Sequence, residues 1–247
     1  AGLPSPWLYI TTLYFPFGLM GAGLCTQLPN NLFKLLEYSN QQIGLIGGLG
    51  LIGSLRFLFA PWLDGAATKR SLSILTLVCS GTLALVMALV TYAQPGHLVY
   101  LWVMIGLMFC LFVVSAAHET AADGYYIRAL DQNLQAKFIG IKTASIRLGI
   151  IAASTGLLLF ATRISADLGA VDIQSADKSG FYTGFAAAFA LAGAVLLGTA
   201  LYNKCVLPKL PDDQPVRHGG FALGEVIRDY LKQDRVALII ALILFYR

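Results

Sequence analysis

Residues 98–130 read LVYLWVMIGLMFCLFVVSAAHETAADGYYIRAL. The first 20 of them, Leu98 to Ala117, contain no Asp, Glu, Lys, Arg or His. About 20 apolar residues at 1.5 Å each cross the roughly 30 Å hydrocarbon core of a bilayer, so the segment predicts a transmembrane helix. Its second half breaks the pattern with His118, Glu119 and Asp123. An ionisable side chain at bilayer depth costs about 2.5–3.5 kcal/mol on insertion scales and is kept where it faces protein or a water-filled cavity. One stretch therefore predicts both a membrane fold and a polar interior.

Five further runs have the same character: Trp7–Pro29, Ile43–Leu63, Leu72–Tyr92, Phe138–Arg163 and Phe181–Val206. A seventh begins near Val236 and stops mid-helix at Arg247, so more spans are expected beyond it, and a few residues are expected before Ala1. Ala1–Pro6 has no basic n-region, which argues against a cleavable signal. Of the 247 residues, 57% are hydrophobic and 12% charged. A soluble domain carries about 25% charged residues; half that leaves too little polar surface to meet water on every side. The expected class is an all-α polytopic membrane protein. Residues 1–203 form a six-helix bundle, 204–235 a polar connector, and 236–247 the start of the seventh span.

The connector opens with Pro208, Pro211, Pro215 and Gly219-Gly220. From Phe221, apolar residues recur at helical spacing against Glu225, Arg228, Asp229 and Lys232, the pattern of a helix lying on the membrane surface. Lys69, Arg70, Arg128, Lys137 and the connector's basic residues fall on one side of the predicted topology. Only Lys34, Arg163 and Lys178 fall on the other, beside Glu37, Asp167, Asp172 and Asp177. The excess of cations places the N-terminus and connector in the cytoplasm.

Within the spans, Ser115, Glu119, Asp123 and Tyr126 share one helix face. Two carboxylates one turn apart resist joint ionisation, which suits a proton carrier. If spans four and five form an antiparallel hairpin about Asp131–Leu134, Asp123 is level with Lys142 and Glu119 with Arg147. Such pairs either lock the hairpin or carry a coupling proton. Arg56, midway along span two, either snorkels or faces a cavity where it would attract an anionic group. Asp64 followed by Lys69 and Arg70 predicts an ion-pair latch at the cytoplasmic end.

Small residues predict where helices touch: Gly44 and Gly48, Gly50 and Ser54 on span two, and Ser145, Gly149 and Ala153 on span five. Pro16 removes one backbone donor from span one and predicts a kink whose freed carbonyl a neighbour must satisfy. Cys25, Cys79, Cys110 and Cys205 stand singly and are expected as small buried hydrophobes, with no zinc or disulfide spacing. No phosphate loop, serine triad or HExxH is present, so no enzyme, metal or cofactor is expected, and a net charge of +4 gives no reason to expect nucleic acid.

Six spans, a cytoplasmic connector and a seventh span together resemble the N-terminal half of a major facilitator superfamily transporter. PWLDGAATKR, residues 61–70, is similar to a degenerate form of that superfamily's loop signature, with Pro61 in place of the first glycine. The stretch 115–149 resembles muropeptide permease-like carriers, through His118, Glu119, Asp123, Gly124, Tyr126, Gln135-Ala136, Gly140 and Arg147. Related carriers import siderophores. The resemblance implies a proton-driven importer of the bacterial inner membrane, acting as a monomer by alternating access. In it Glu119 and Asp123 would bind the proton, tuned by Lys142 and Arg147. The alternative is a non-transporting scaffold or accessory subunit of a membrane complex.

Overall fold

Among the described residues, five helices are long and apolar enough to cross a membrane: α1 (Pro6–Leu35), α3 (Lys69–Ala93), α4 (His97–Ala129), α5 (Gln132–Asp167) and α6 (Ser179–Val206). A shorter α2 (Asn40–Leu49) starts where the second span is expected. These come from a computed structural model that describes residues 5–50, 63, 67–94, 96–170, 178–211 and 213–214, among which there is no strand. The chain divides into two compact units, Ala1–Pro215 and Val216–Arg247. The surface helix after Phe221, the seventh span, Arg56 and Asp64 lie outside the described residues.

Three of the starts have a side-chain cap. Ser39 and Gln42 close a capping box on α2, the Thr68 hydroxyl accepts from Ser71 N–H on α3, and Asp131 accepts from Leu134 N–H on α5. The expected end of span one at Pro29 is corrected: α1 runs on to Leu35. Pro29 falls at the start of a fresh α-helical segment, Leu28–Leu35, where a missing N–H costs little. That segment follows a π-helical stretch, Leu19–Gln27, in which the Thr26 hydroxyl reaches back to the carbonyls of Gly21 and Ala22. A second π stretch, Ala152–Leu157, interrupts α5.

Pro16 has no N–H for the Thr12 carbonyl, four residues back. Asn203 of α6 supplies the donor: its Nδ2 reaches Thr12 O at 3.2 Å, while its Oδ1 accepts from Thr12 Oγ1 at 2.7 Å. Both hydrogen-bonding ends of a fully buried amide are thus used on one turn of α1.

Small residues set the seam between α1 and α5. A Cβ added at Gly18 would strike the Ile146 carbonyl, one at Gly149 the Phe15 carbonyl, and one at Gly23 the Ala153 methyl. The α3–α6 seam is built likewise, with Gly81 and Gly193 each meeting the other's backbone oxygen. The expected packing stripe on span five is therefore present. On span two, Gly44 and Gly48 meet no other described residue, and the rest of the expected stripe, with Ser54, lies outside the described residues.

Outward faces carry Leu75, Leu89, Leu98, Trp102, Phe109, Leu148, Ile151, Leu159 and Leu201, all exposed. A surface this apolar suits lipid. Of the cysteines only Cys25 is buried; Cys110 and Cys205 are exposed, which corrects the expectation. A thiol on a lipid-facing surface is already in an apolar environment and gains little from the protein core.

Asn203→Leu should lower stability by about 1–3 kcal/mol, the cost of stranding a partly buried carbonyl. Gly149→Val should do worse, because the clash is with backbone. Thermal unfolding of purified protein in lipid nanodiscs reads both, and an unchanged midpoint for Asn203→Leu would show that the Thr12 carbonyl needs no partner.

Candidate functional site

The α4–α5 hairpin turns on Leu130 and Asp131, and its own polar groups fix its register. Gln135 Nε2 donates to Leu130 O at 2.7 Å and to Ile127 O at 3.2 Å, and the Tyr126 hydroxyl donates to Gln135 O at 2.6 Å. With the two helices antiparallel about this turn, Lys142 comes level with Asp123. The expected pair is formed: Lys142 Nζ lies 2.7 Å from Asp123 Oδ1.

The pair sits between two aromatic rings. Lys142 Nζ is 4.7 Å from the Tyr14 centroid and 5.4 Å from that of Tyr126, and the two rings meet edge-on at 6.0 Å. The Tyr14 hydroxyl donates to the same carboxylate oxygen, Asp123 Oδ1, at 2.8 Å. Side-chain exposure is 20% for Lys142 and 40% for Asp123. The pair is therefore reachable from outside the bundle while its ammonium is held by charge, hydrogen bond and ring faces together.

The other expected members lie elsewhere. Arg147 is exposed and makes no ion pair with Glu119, although their depths match. The reason is rotation: five residues advance a helix by about 140°, so when Lys142 faces α4 and α1, Arg147 points away. Glu119 is half-buried on α4. His118 is fully buried on a different face, between α1 and α3. Its Nε2 lies 3.0 Å from Leu13 O and its Nδ1 2.9 Å from Thr76 Oγ1. A carbonyl only accepts, so Nε2 carries the hydrogen. His118 thus pins three helices together and has no hydrogen bond to the Asp123–Lys142 pair.

At the end of the bundle where α3 begins and α4 and α6 finish, the expected basic pair Lys69 and Arg70 is engaged by a residue the sequence did not single out, Asp213. Its Oδ1 accepts from Lys69 N–H at 2.7 Å and from Arg128 Nη1 at 3.0 Å; its Oδ2 accepts from Arg70 N–H at 2.9 Å. A carboxylate here caps orphan donors and meets the positive end of the helix dipole. The Arg70 guanidinium meets the opposite need on α6, donating to the Lys204 and Leu207 carbonyls at 2.6 and 2.7 Å. Tyr125 adds a hydroxyl donated to Pro208 O at 2.9 Å. The first residues of the connector are thereby strapped across α3, α4 and α6. The available clue was Asp213 itself, an acidic residue between helix-breaking prolines and opposite a basic turn.

The other end shows contacts of a different kind among the described residues. Lys178 pairs with the mostly exposed Glu37 at 3.0 Å, a contact worth about 0–1 kcal/mol. Tyr38 stacks on His97 with centroids 3.8 Å apart and donates to His97 O at 2.6 Å. Burial, and after it the Tyr182 phenol, pushes the Tyr38 hydroxyl above its usual range, so it stays a donor. The chain matches no protein-family model, no curated protein and no solved structure.

Two outcomes follow from these contacts. Reversing Asp123 or Lys142 alone should cost about 1–3 kcal/mol, less than the roughly 3–5 of a fully buried pair because Asp123 is partly exposed. The double reversal should recover most of it in thermal unfolding, and no recovery would mean that the two do not couple. Asp213→Ala should expose the connector to limited proteolysis after Leu207 and lower stability by about 1–2 kcal/mol; a digestion pattern like the parent's would argue against the strap.

Proposed function

We propose that this chain is the N-terminal six-span bundle of a major-facilitator-type secondary transporter. It imports a medium-sized polar organic solute, of muropeptide or siderophore type, across a bacterial inner membrane by proton-coupled alternating access. The observation that carries this is the Asp123–Lys142 pair, an ion pair on two apolar helices and partly open to the outside. An ion pair adds little stability over apolar packing of the same volume, and ionisable groups at membrane depth mark proton and solute pathways.

In this mechanism a proton and the Lys142 ammonium compete for one carboxylate. While Asp123 is ionised, Lys142 stays on it and ties α5 to α4. Protonation removes the charge, Lys142 loses its partner, and the hairpin can settle against its surroundings differently. That differential interaction is what a conformational equilibrium needs in order to respond to a proton. Glu119, one turn away, is the second proton-binding carboxylate, and Arg56 draws in anionic groups of the solute. Asp64, Lys69 and Arg70 act in the cytoplasmic latch, and the N-terminus and connector face the cytoplasm. The basic residues Lys69, Arg70, Arg128, Lys204 and Lys209 support that orientation, since all lie at the connector end.

The test is uptake by proteoliposomes holding the full chain, with and without an inward proton gradient, against a panel of muropeptides and siderophores. Accumulation should require the gradient, and Glu119→Gln and Asp123→Asn should each reduce it at least tenfold without loss of folded protein. Folded protein that accumulates nothing from the panel would favour a membrane scaffold. Parent uptake indifferent to the gradient, or gradient-driven uptake undiminished in both variants, would remove the proton from the mechanism.

A further inference from the structure

Tyr14 touches both members of the Asp123–Lys142 pair. Its hydroxyl donates to Asp123 Oδ1 at 2.8 Å, and its ring lies under the Lys142 ammonium at 4.7 Å. Tyr126 offers only its ring, because its hydroxyl is spent on Gln135 O in the hairpin turn. Tyr14 is 1% exposed, so neither contact is a chance arrangement of a mobile surface side chain.

The neighbours of Tyr14 in α1 are fixed from three directions. Asn203 of α6 holds both polar groups of Thr12. His118 of α4 holds the Leu13 carbonyl. The backbone of Phe15 and Gly18 abuts Gly149 and Ile146 of α5, with no room for a side chain between them. Tyr14 therefore projects from a turn of α1 that three neighbouring helices hold. A side chain supported in this way places its polar atom accurately.

We propose that Tyr14 is the positioning residue of the Asp123–Lys142 pair, its hydroxyl aiming the carboxylate and its ring seating the ammonium. The pair then keeps its geometry only while α1 stays seated beside the α4–α5 hairpin, and movement of α1 is felt at the carboxylate. The purpose given to this device rests on the transporter proposal, but the geometry is measurable without it.

The experiment uses the full chain in lipid nanodiscs, with lysines dimethylated by isotopically labelled formaldehyde. The Lys142 resonance is assigned by its loss in Lys142→Arg. Ring currents should displace it upfield of the other lysines in the parent protein. Tyr14→Leu should lose most of that displacement and Tyr14→Phe should retain it. The Asp123 carboxylate infrared band, assigned by Asp123→Asn, should shift in Tyr14→Phe and stay in place in Tyr126→Phe. A parent Lys142 resonating with the other lysines overturns the proposal without any Tyr14 variant, as does an unmoved Asp123 band in folded Tyr14→Phe. Both signatures alongside gradient-independent uptake would overturn the transport mechanism and leave the role of Tyr14 standing. Gradient-driven uptake with either signature missing would do the reverse.

Discussion

Hydrocarbon cannot offer a hydrogen bond, and much of this bundle follows from that limit. Pro16 leaves the Thr12 carbonyl without its helical donor, and lipid could not replace it. A side chain from another helix must, and Asn203 does. Once Asn203 is committed to α1, α6 is tied to that turn, and its last residues and the connector start from a fixed place. The same turn receives His118 at Leu13 and the α5 backbone at Phe15 and Gly18. One missing N–H thus lies at the point where four helices converge, and the ion pair is held from the residue in the middle of it.

Helix ends meet the limit in another way. The first donors of α3 and the last acceptors of α6 lie close together, and two charged side chains serve them crosswise. Asp213 takes the donors, and Arg70 takes the carbonyls. A charged cap suits a boundary where the chain is leaving lipid, because charge can still be solvated there while the helix dipole adds to each contact. Among the described residues, the bundle's opposite end carries an aromatic stack and a largely exposed ion pair instead of such charged caps.

Much of this was legible in the residues. Hydropathy located every described span to within a few residues at most boundaries, since length and apolarity are all that a bilayer demands. Counting from the hairpin turn placed Asp123 beside Lys142, because depth along two antiparallel helices is a matter of arithmetic. Rotation is not given by that arithmetic, and there Glu119 and Arg147 failed to meet. Pro29 misled because a proline inside a run reads as a stop unless the π stretch before it is known. Asp213 and Asn203 were hidden for a different reason. Each acts on backbone groups far away in sequence, and a backbone group has no letter.

The two π stretches, Leu19–Gln27 and Ala152–Leu157, also bear on how such a chain can be inherited. A π turn holds one residue more than an α turn, and removing it would rotate everything beyond by about 100°. Gly23 lies within the first stretch and Ala153 within the second, and they touch. A codon lost from either helix would turn one of these surfaces away from the other. The contact between α1 and α5 at Gly23 and Ala153 therefore depends on both irregularities at once.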